Sequence, residues 1–143
     1  MTFARSLVLA AIAASLASIG TVASGQEKKD EAKPYVVQDG KVDRATFNGW
    51  RRYTESCLRC HGPDGSGSSY GPDLLGSLKN ISEEQFKEVV VNGRQNVSAS
   101  QQSVMPPFGE VEDVILYLDD IYGYLKARSD GVIDRGRPER FDR

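Results

Sequence analysis

The stretch Ser56–Gly65 reads "SCLRCHGPDG" and holds both cysteines and the only histidine of the 143-residue chain. Two sulfurs and an imidazole stand at positions i, i+3 and i+4, with a proline and two glycines directly after them. On a helix these three positions share a face. Upstream, Phe47, Trp50, Tyr53, Thr54 and Cys57 recur at spacings of three and four. The pattern predicts a helix capped by Asp43, closed by Pro63, and carrying the cysteines and histidine on its last turn.

Outward from this helix the chain divides by composition. Residues 1–25 combine Arg5 with an uncharged apolar run, Leu7–Ile19, too short to span a bilayer, and end in the small residues of "ASG". This is the pattern of a secretory signal peptide, cut before Gln26. Its removal deletes one arginine and no acid, which takes the net charge from −2 to −3. A nucleic-acid partner is not expected at that charge, nor is stable membrane insertion. Residues 26–33, "QEKKDEAK", read as a disordered leader, and residues 129–143 as a polar C-terminal tail. The domain proper spans residues 34–128.

Within it, "YVVQDGKVD" predicts a small hairpin turning at Asp39–Gly40. "SEEQ" predicts a second helix, with Ser82 and Gln85 as a capping box and Gly93 as its end. A third helix is expected from about Glu110, with Val114, Leu118, Ile121, Tyr122 and Leu125 on one stripe. Gly123 lies inside it at a local cost of about 1 kcal/mol, acceptable where close packing requires it. The fold class is therefore all-α, three main helices with long irregular connections over 62–80 and 94–109. Loops of that length need something to wrap. Their own sequences are poor in large apolar residues.

The cysteine motif supplies the missing apolar object, since Cys57-x-x-Cys60-His61 is the attachment pattern of c-type haem. Two thioethers would hold the porphyrin while His61 reaches the iron. A redox dithiol is the competing reading of the two cysteines and would call for a βαβ setting. A zinc site lacks a fourth ligand. With haem, the second axial ligand follows by elimination: His61 is the sole histidine, and Met105 is the one methionine besides Met1. Met105 sits in "SVMPPFG", where two prolines stiffen the backbone. Histidine with methionine leaves the iron no open position and points to electron transfer rather than catalysis.

These residues resemble the monohaem class I cytochromes c, with their N-terminal helix, C-x-x-C-H, "GPDL" and "MP" segments and C-terminal helix. The resemblance implies that Gly49 and Tyr53 pack on the C-terminal helix near Tyr117, that the Pro72 carbonyl accepts a hydrogen bond from His61 Nδ1, and that Leu74 covers a haem face. "FNGWRRY", "CHGPDGSGSSYGPDL", "VVVNGRQNVSASQQSVMPPFG" and "YLDDIYGYLKARSDG" are similar, more narrowly, to the methanol-metabolism cytochromes of the cytochrome cL type. That likeness implies a periplasmic carrier that takes electrons from a quinoprotein alcohol dehydrogenase and passes them to a downstream cytochrome or oxidase. A general periplasmic carrier, a haem-based sensor and a thiol oxidoreductase stay open. Beyond the resemblance, Glu110, Glu112, Asp113, Asp119 and Asp120 form an acidic run, readable as a solvated face or as a docking surface. Arg51, Arg52 and Arg59 flank the cysteine motif.

Overall fold

A computed structural model describes residues 32–97 and 102–141. The expected signal peptide and nearly all of the expected leader lie outside the described residues, which fall in the unit Glu31–Arg143. The chain opens with β1 (Val37–Gln38) and β2 (Lys41–Val42), an antiparallel pair. They turn on Asp39 and Gly40 with φ of 49° and 75°, both left-handed as a type I′ turn requires. There follow α1 (Arg44–Ser56), α2 (Leu58–His61), a 3₁₀ turn at Pro63–Gly65, α3 (Leu74–Ser77) and α4 (Glu83–Asn92). The antiparallel pair β3 (Arg94–Val97) and β4 (Gln102–Met105) leads to α5 (Glu112–Leu116) and α6 (Leu118–Ser129).

The helix starts follow from local chemistry. Asp43 accepts the Thr46 amide at 3.1 Å and opens α1. Ser82 and Gln85 form the reciprocal capping box of α4, at 3.3 and 2.9 Å. The core forms around α6, whose Leu118 and Ile121–Leu125 are all buried. A helix apolar on most of its circumference must be enclosed on several sides, and here α1, α3 and α4 all pack on it.

The α1–α6 crossing is the closest. A Cβ at Gly49 would lie 1.8 Å from the Asp120 carbonyl oxygen, so only glycine permits this approach. Tyr53 meets the Tyr124 ring with centroids 5.7 Å apart. The expected contact near Tyr117 is thus displaced to Asp120–Tyr124, one turn further along. Gly123 is also required by packing, because a Cβ there would lie 2.3 Å from Pro34 O.

Three features depart from the sequence reading. Residues 94–97 and 102–105 pair as strands, so the second long connection is not irregular throughout. The third helix is two, broken at Tyr117 (φ −119°, ψ 23°). There the Arg52 guanidinium lies 4.5 Å above the Tyr117 ring, and that packing holds the aromatic at the break. The polar C-terminal segment is not detached: Ile133 is buried, Val42 N donates to Glu139 O at 2.8 Å, and Phe141 N donates to Val42 O at 3.2 Å.

Candidate haem-binding site

The motif occupies a hinge between two helices rather than the end of one. Cys57 closes α1 by donating its N–H to Tyr53 O at 2.8 Å, and its own carbonyl accepts from Cys60 N at 3.2 Å and His61 N at 3.0 Å. That second, tighter turn is α2, and Gly62, with φ 72°, ends it. Pro63 therefore follows the stop instead of making it. Cys60 is exposed, Cys57 half-buried and His61 buried, so the three side chains grade from solvent into the domain.

The loop after α2 folds back onto the imidazole. His61 Nδ1 lies 3.1 Å from Pro72 O, the contact the resemblance implies. Gly67 N donates to His61 O at 2.7 Å, and Ser68 Oγ donates to Cys60 O at 2.5 Å. A Cβ at Gly71 would lie 2.9 Å from Cys60 O and 3.0 Å from Nδ1, so a side chain here would push Pro72 off the histidine.

Both cysteines are free thiols. Burial, with a smaller effect of neighbouring Cys60, pushes the Cys57 thiol up to about 11. A redox-active dithiol needs the opposite, a thiol drawn toward thiolate at neutral pH. Nor do the surroundings form a βαβ unit. Among the described residues no group of three or more His, Cys, Asp or Glu is arranged to hold a metal ion.

What the residues do fit is haem. Two unpaired sulfurs and an imidazole stand on adjacent turns, and with Nδ1 committed to Pro72 the Nε2 nitrogen is left for iron. Leu74 on α3, Ile81, Val91 on α4, Met105 and Phe108 are half-buried apolar side chains packed at the margin of the core. Met105 ends β4 opposite Arg94, and Pro106–Pro107 open the irregular connection that follows it.

Sequence reasoning passed over Asp64 and the partners of the arginines. Asp64 is buried, accepts from Tyr124 Oη at 3.3 Å and from Gly136 N at 3.0 Å, and its signal was an acid lodged between the glycines after the motif. Arg52 is held by Glu55 and Asp113, each at 3.1 Å, and Arg51 by Glu55 at 3.7 Å. Those two arginines balance nearby acids. They also line a cleft of about 620 Å³ along α1 with Arg44, Tyr117, Asp120 and Arg140, and a second cleft of about 460 Å³ adjoins it at Phe47, Trp50 and Arg137. Neither cleft is lined by Cys57, Cys60, His61 or Met105.

Comparison with known proteins agrees with this chemistry. The family model described as "Cytochrome C oxidase, cbb3-type, subunit III" matches residues 44–118. Cytochrome c-553I of Paracoccus denitrificans is 46% identical over 105 residues, which cover 73% of this chain and 46% of that protein. The chain thus spans about half the length of that relative. Cytochrome c-555 of Methylococcus capsulatus is 46% identical over 100 residues, covering 69% of this chain and 75% of that one. The crystal structure of the c-type cytochrome XoxG from Methylobacterium extorquens AM1 superposes with a TM-score of 0.65 at 37% identity, over 79% of this chain and 76% of that one.

Proposed function

Because the chain belongs to the cytochromes c, as a class I monohaem type that carries electrons rather than an enzyme, we propose that it is a periplasmic one-electron acceptor for a quinoprotein (PQQ) methanol or other alcohol dehydrogenase. It would pass each electron on to a downstream cytochrome or oxidase. The observation that carries the reading is the buried imidazole of His61 with Nδ1 3.1 Å from the Pro72 carbonyl, beside two free thiols.

Covalently bound haem supplies a one-electron iron couple. Cys57 and Cys60 would form the thioethers, and His61 and Met105 would be the axial ligands. When Nδ1 donates to Pro72 O it fixes the ring's orientation and raises the basicity of the opposite nitrogen. Leu74, Val91 and Phe108 would keep water from the site. The choice of a quinoprotein partner is supported by the cytochrome cL resemblance of the methionine segment and C-terminal helix. No described helix is long and apolar enough to cross a membrane.

A quinoprotein releases two electrons per alcohol, and one haem takes one, so two copies of this protein are reduced for each alcohol oxidised. Stopped-flow mixing of the holoprotein with a reduced quinoprotein alcohol dehydrogenase from the same organism should show fast haem reduction that slows or accelerates with salt, as exposed charges are screened over about 10 Å at 0.1 M. No reduction by any such dehydrogenase would leave a general electron carrier. Met105→Ala should abolish the sulfur-to-iron near-infrared band and lower the reduction potential. A wild-type spectrum of five-coordinate iron would favour the sensor reading instead.

A further inference from the structure

We propose that Asp64 is a positioning residue for the haem site, through which the C-terminal segment 130–141 acts on the axial histidine. Asp64 lies three residues past His61 and takes φ 60°, ψ 18°, a left-handed conformation. Aspartate tolerates that region better than most side chains, yet holding it there calls for external restraint. The restraint is visible. Its side chain is about 10% exposed, and three groups converge on the carboxylate.

Tyr124 Oη on α6 donates to Oδ1 at 3.3 Å, and Gly136 N donates to the same oxygen at 3.0 Å. Arg135 Nε donates to Oδ2 at 3.5 Å, though its side chain is 70% exposed and the pair is open to screening. The Gly136 amide is therefore the firmer grip of the C-terminal segment. That segment is itself anchored, because Ile133 is buried and its carbonyl accepts from Arg128 Nη1 at 2.6 Å.

The residues around Asp64 are clasped as well. Tyr53 Oη donates to Gly62 O at 2.5 Å and accepts from Gly65 N at 2.9 Å. From there the loop closes on itself: a Cβ at Gly62 would lie 2.2 Å from Gly67 O, and one at Gly67 would lie 2.8 Å from Asp73 N. With so little slack, residues 62–73 move as a body, and that body carries Pro72 O to His61 Nδ1. Releasing Asp64 lets Pro72 draw away from the imidazole. A weaker Nδ1–H bond makes the imidazole a poorer donor, and the iron's reduced form gains relative to the oxidised form.

The test compares the haem-loaded Asp64→Asn and Asp64→Ala proteins with wild type by reduction potential and by exchange of the His61 Nδ1–H in NMR spectra. Both variants remove one negative charge, so electrostatics alone raises the two potentials equally. Asn keeps an oxygen for the Gly136 amide and the Tyr124 hydroxyl, whereas Ala keeps neither. The expected result is a clearly larger upward shift for Asp64→Ala, with Nδ1–H exchange about five- to tenfold faster than in Asp64→Asn. Equal shifts with equal exchange would overturn the proposal. Should Asp64→Ala fail to retain haem, Tyr124→Phe decides: removing a donor from the carboxylate leaves its charge less masked and lowers the potential by electrostatics, whereas positioning raises it. An unchanged or lowered potential there refutes the idea. The inference rests on the axial role proposed for His61. A wild type lacking a low-spin haem signal would fail that role first, whereas equal shifts in the Asp64 variants fail this inference alone.

Discussion

At the crossing of α1 and α6, backbone meets backbone at Gly49 and Asp120, and Tyr53, Ile121, Tyr124 and Leu125 are at most 1% exposed. Around the rim from Leu74 to Phe108, the apolar residues Leu74, Ile81, Val91, Met105 and Phe108 are only half-buried, and much of the order between 62 and 77 comes from side chains capping backbone groups. The first region is completed by the chain itself. The second has the apolar surface of a core margin with fewer partners than such side chains normally bury against, which is where the proposed haem would add partners. A domain this small commonly needs such a staple.

The largest expected effect separates the two regions directly. A Cys57→Ala, Cys60→Ala double variant, expressed with export and haem-attachment machinery, should carry no covalent haem. Its amides in residues 66–77 and 90–95 should exchange close to the unfolded rate, while those of α1 and α6 keep measurable protection. Equal protection in both regions would mean that the rim is as complete as the helix crossing and that the comparison is wrong.

Gly49→Ala attacks the other region. A Cβ forced to within 1.8 Å of the Asp120 carbonyl must separate α1 from α6. A loss of about 3 kcal/mol is expected in thermal or denaturant unfolding of the holoprotein, at the upper end of overpacking effects. Its haem spectrum should be much less affected. A loss below about 1 kcal/mol would show that the crossing gives way easily.

Much of this division was legible in the residues, and the limits of legibility are physical. The Asp39–Gly40 turn, the Asp43 cap and the Ser82–Gln85 box were readable because each is decided within four residues of chain. The haem motif was readable because spacing alone carries its chemistry. The β3–β4 pairing was hidden, since Arg94–Met105 lacks the apolar alternation that marks a strand. The C-terminal segment looked like a solvated tail because its grip is made by backbone amides and by arginines over aromatic rings, Arg137 on Phe47 and Trp50 and Arg140 on Phe47. Backbone donors have no signature in sequence. Asp64 was passed over for the same reason, its partners lying 60 and 72 residues away.

A smaller effect follows from the tyrosines. Burial pushes Tyr53 up to about 12 and, with the Asp130 hydrogen bond added, Tyr35 also to about 12. In the unfolded chain both titrate near 10. Their neutral forms are thus favoured by folding, a contribution fully present below pH 10 and lost as pH rises from about 10 through about 12. Denaturant unfolding should show stability falling over that window, and Tyr53→Phe should flatten part of the fall. Because Tyr53 also clasps Gly62 and Gly65, its ionisation would loosen the loop from the packed face before the helices part. A pH-independent stability across the window would contradict the packing described for both rings.

The smallest effect concerns the acidic run, which the structure divides. Asp119 pairs with Lys87 at 2.6 Å, Asp120 accepts from Asn48 at 2.7 Å, and Asp113 pairs with Arg52 at 3.1 Å, so three of its carboxylates tie α5 and α6 to neighbouring helices. Glu112 has no ion pair among the described residues. Asp113 is still 65% exposed, and a surface pair of that kind contributes under about 1 kcal/mol. Asp113→Asn should therefore cost a few tenths of a kcal/mol and disturb Arg52 over Tyr117, whereas Glu112→Gln should leave stability within about 0.5 kcal/mol. If the run docks a partner, Glu112→Gln should change the salt dependence of haem reduction without changing stability or spectrum, because an exposed charge acts on encounter more than on the fold. If the run only solvates and ties the helices, Asp113→Asn moves stability slightly and neither variant moves the rate. Measuring both quantities on both variants separates an acid that holds the packed face together from one that meets another protein.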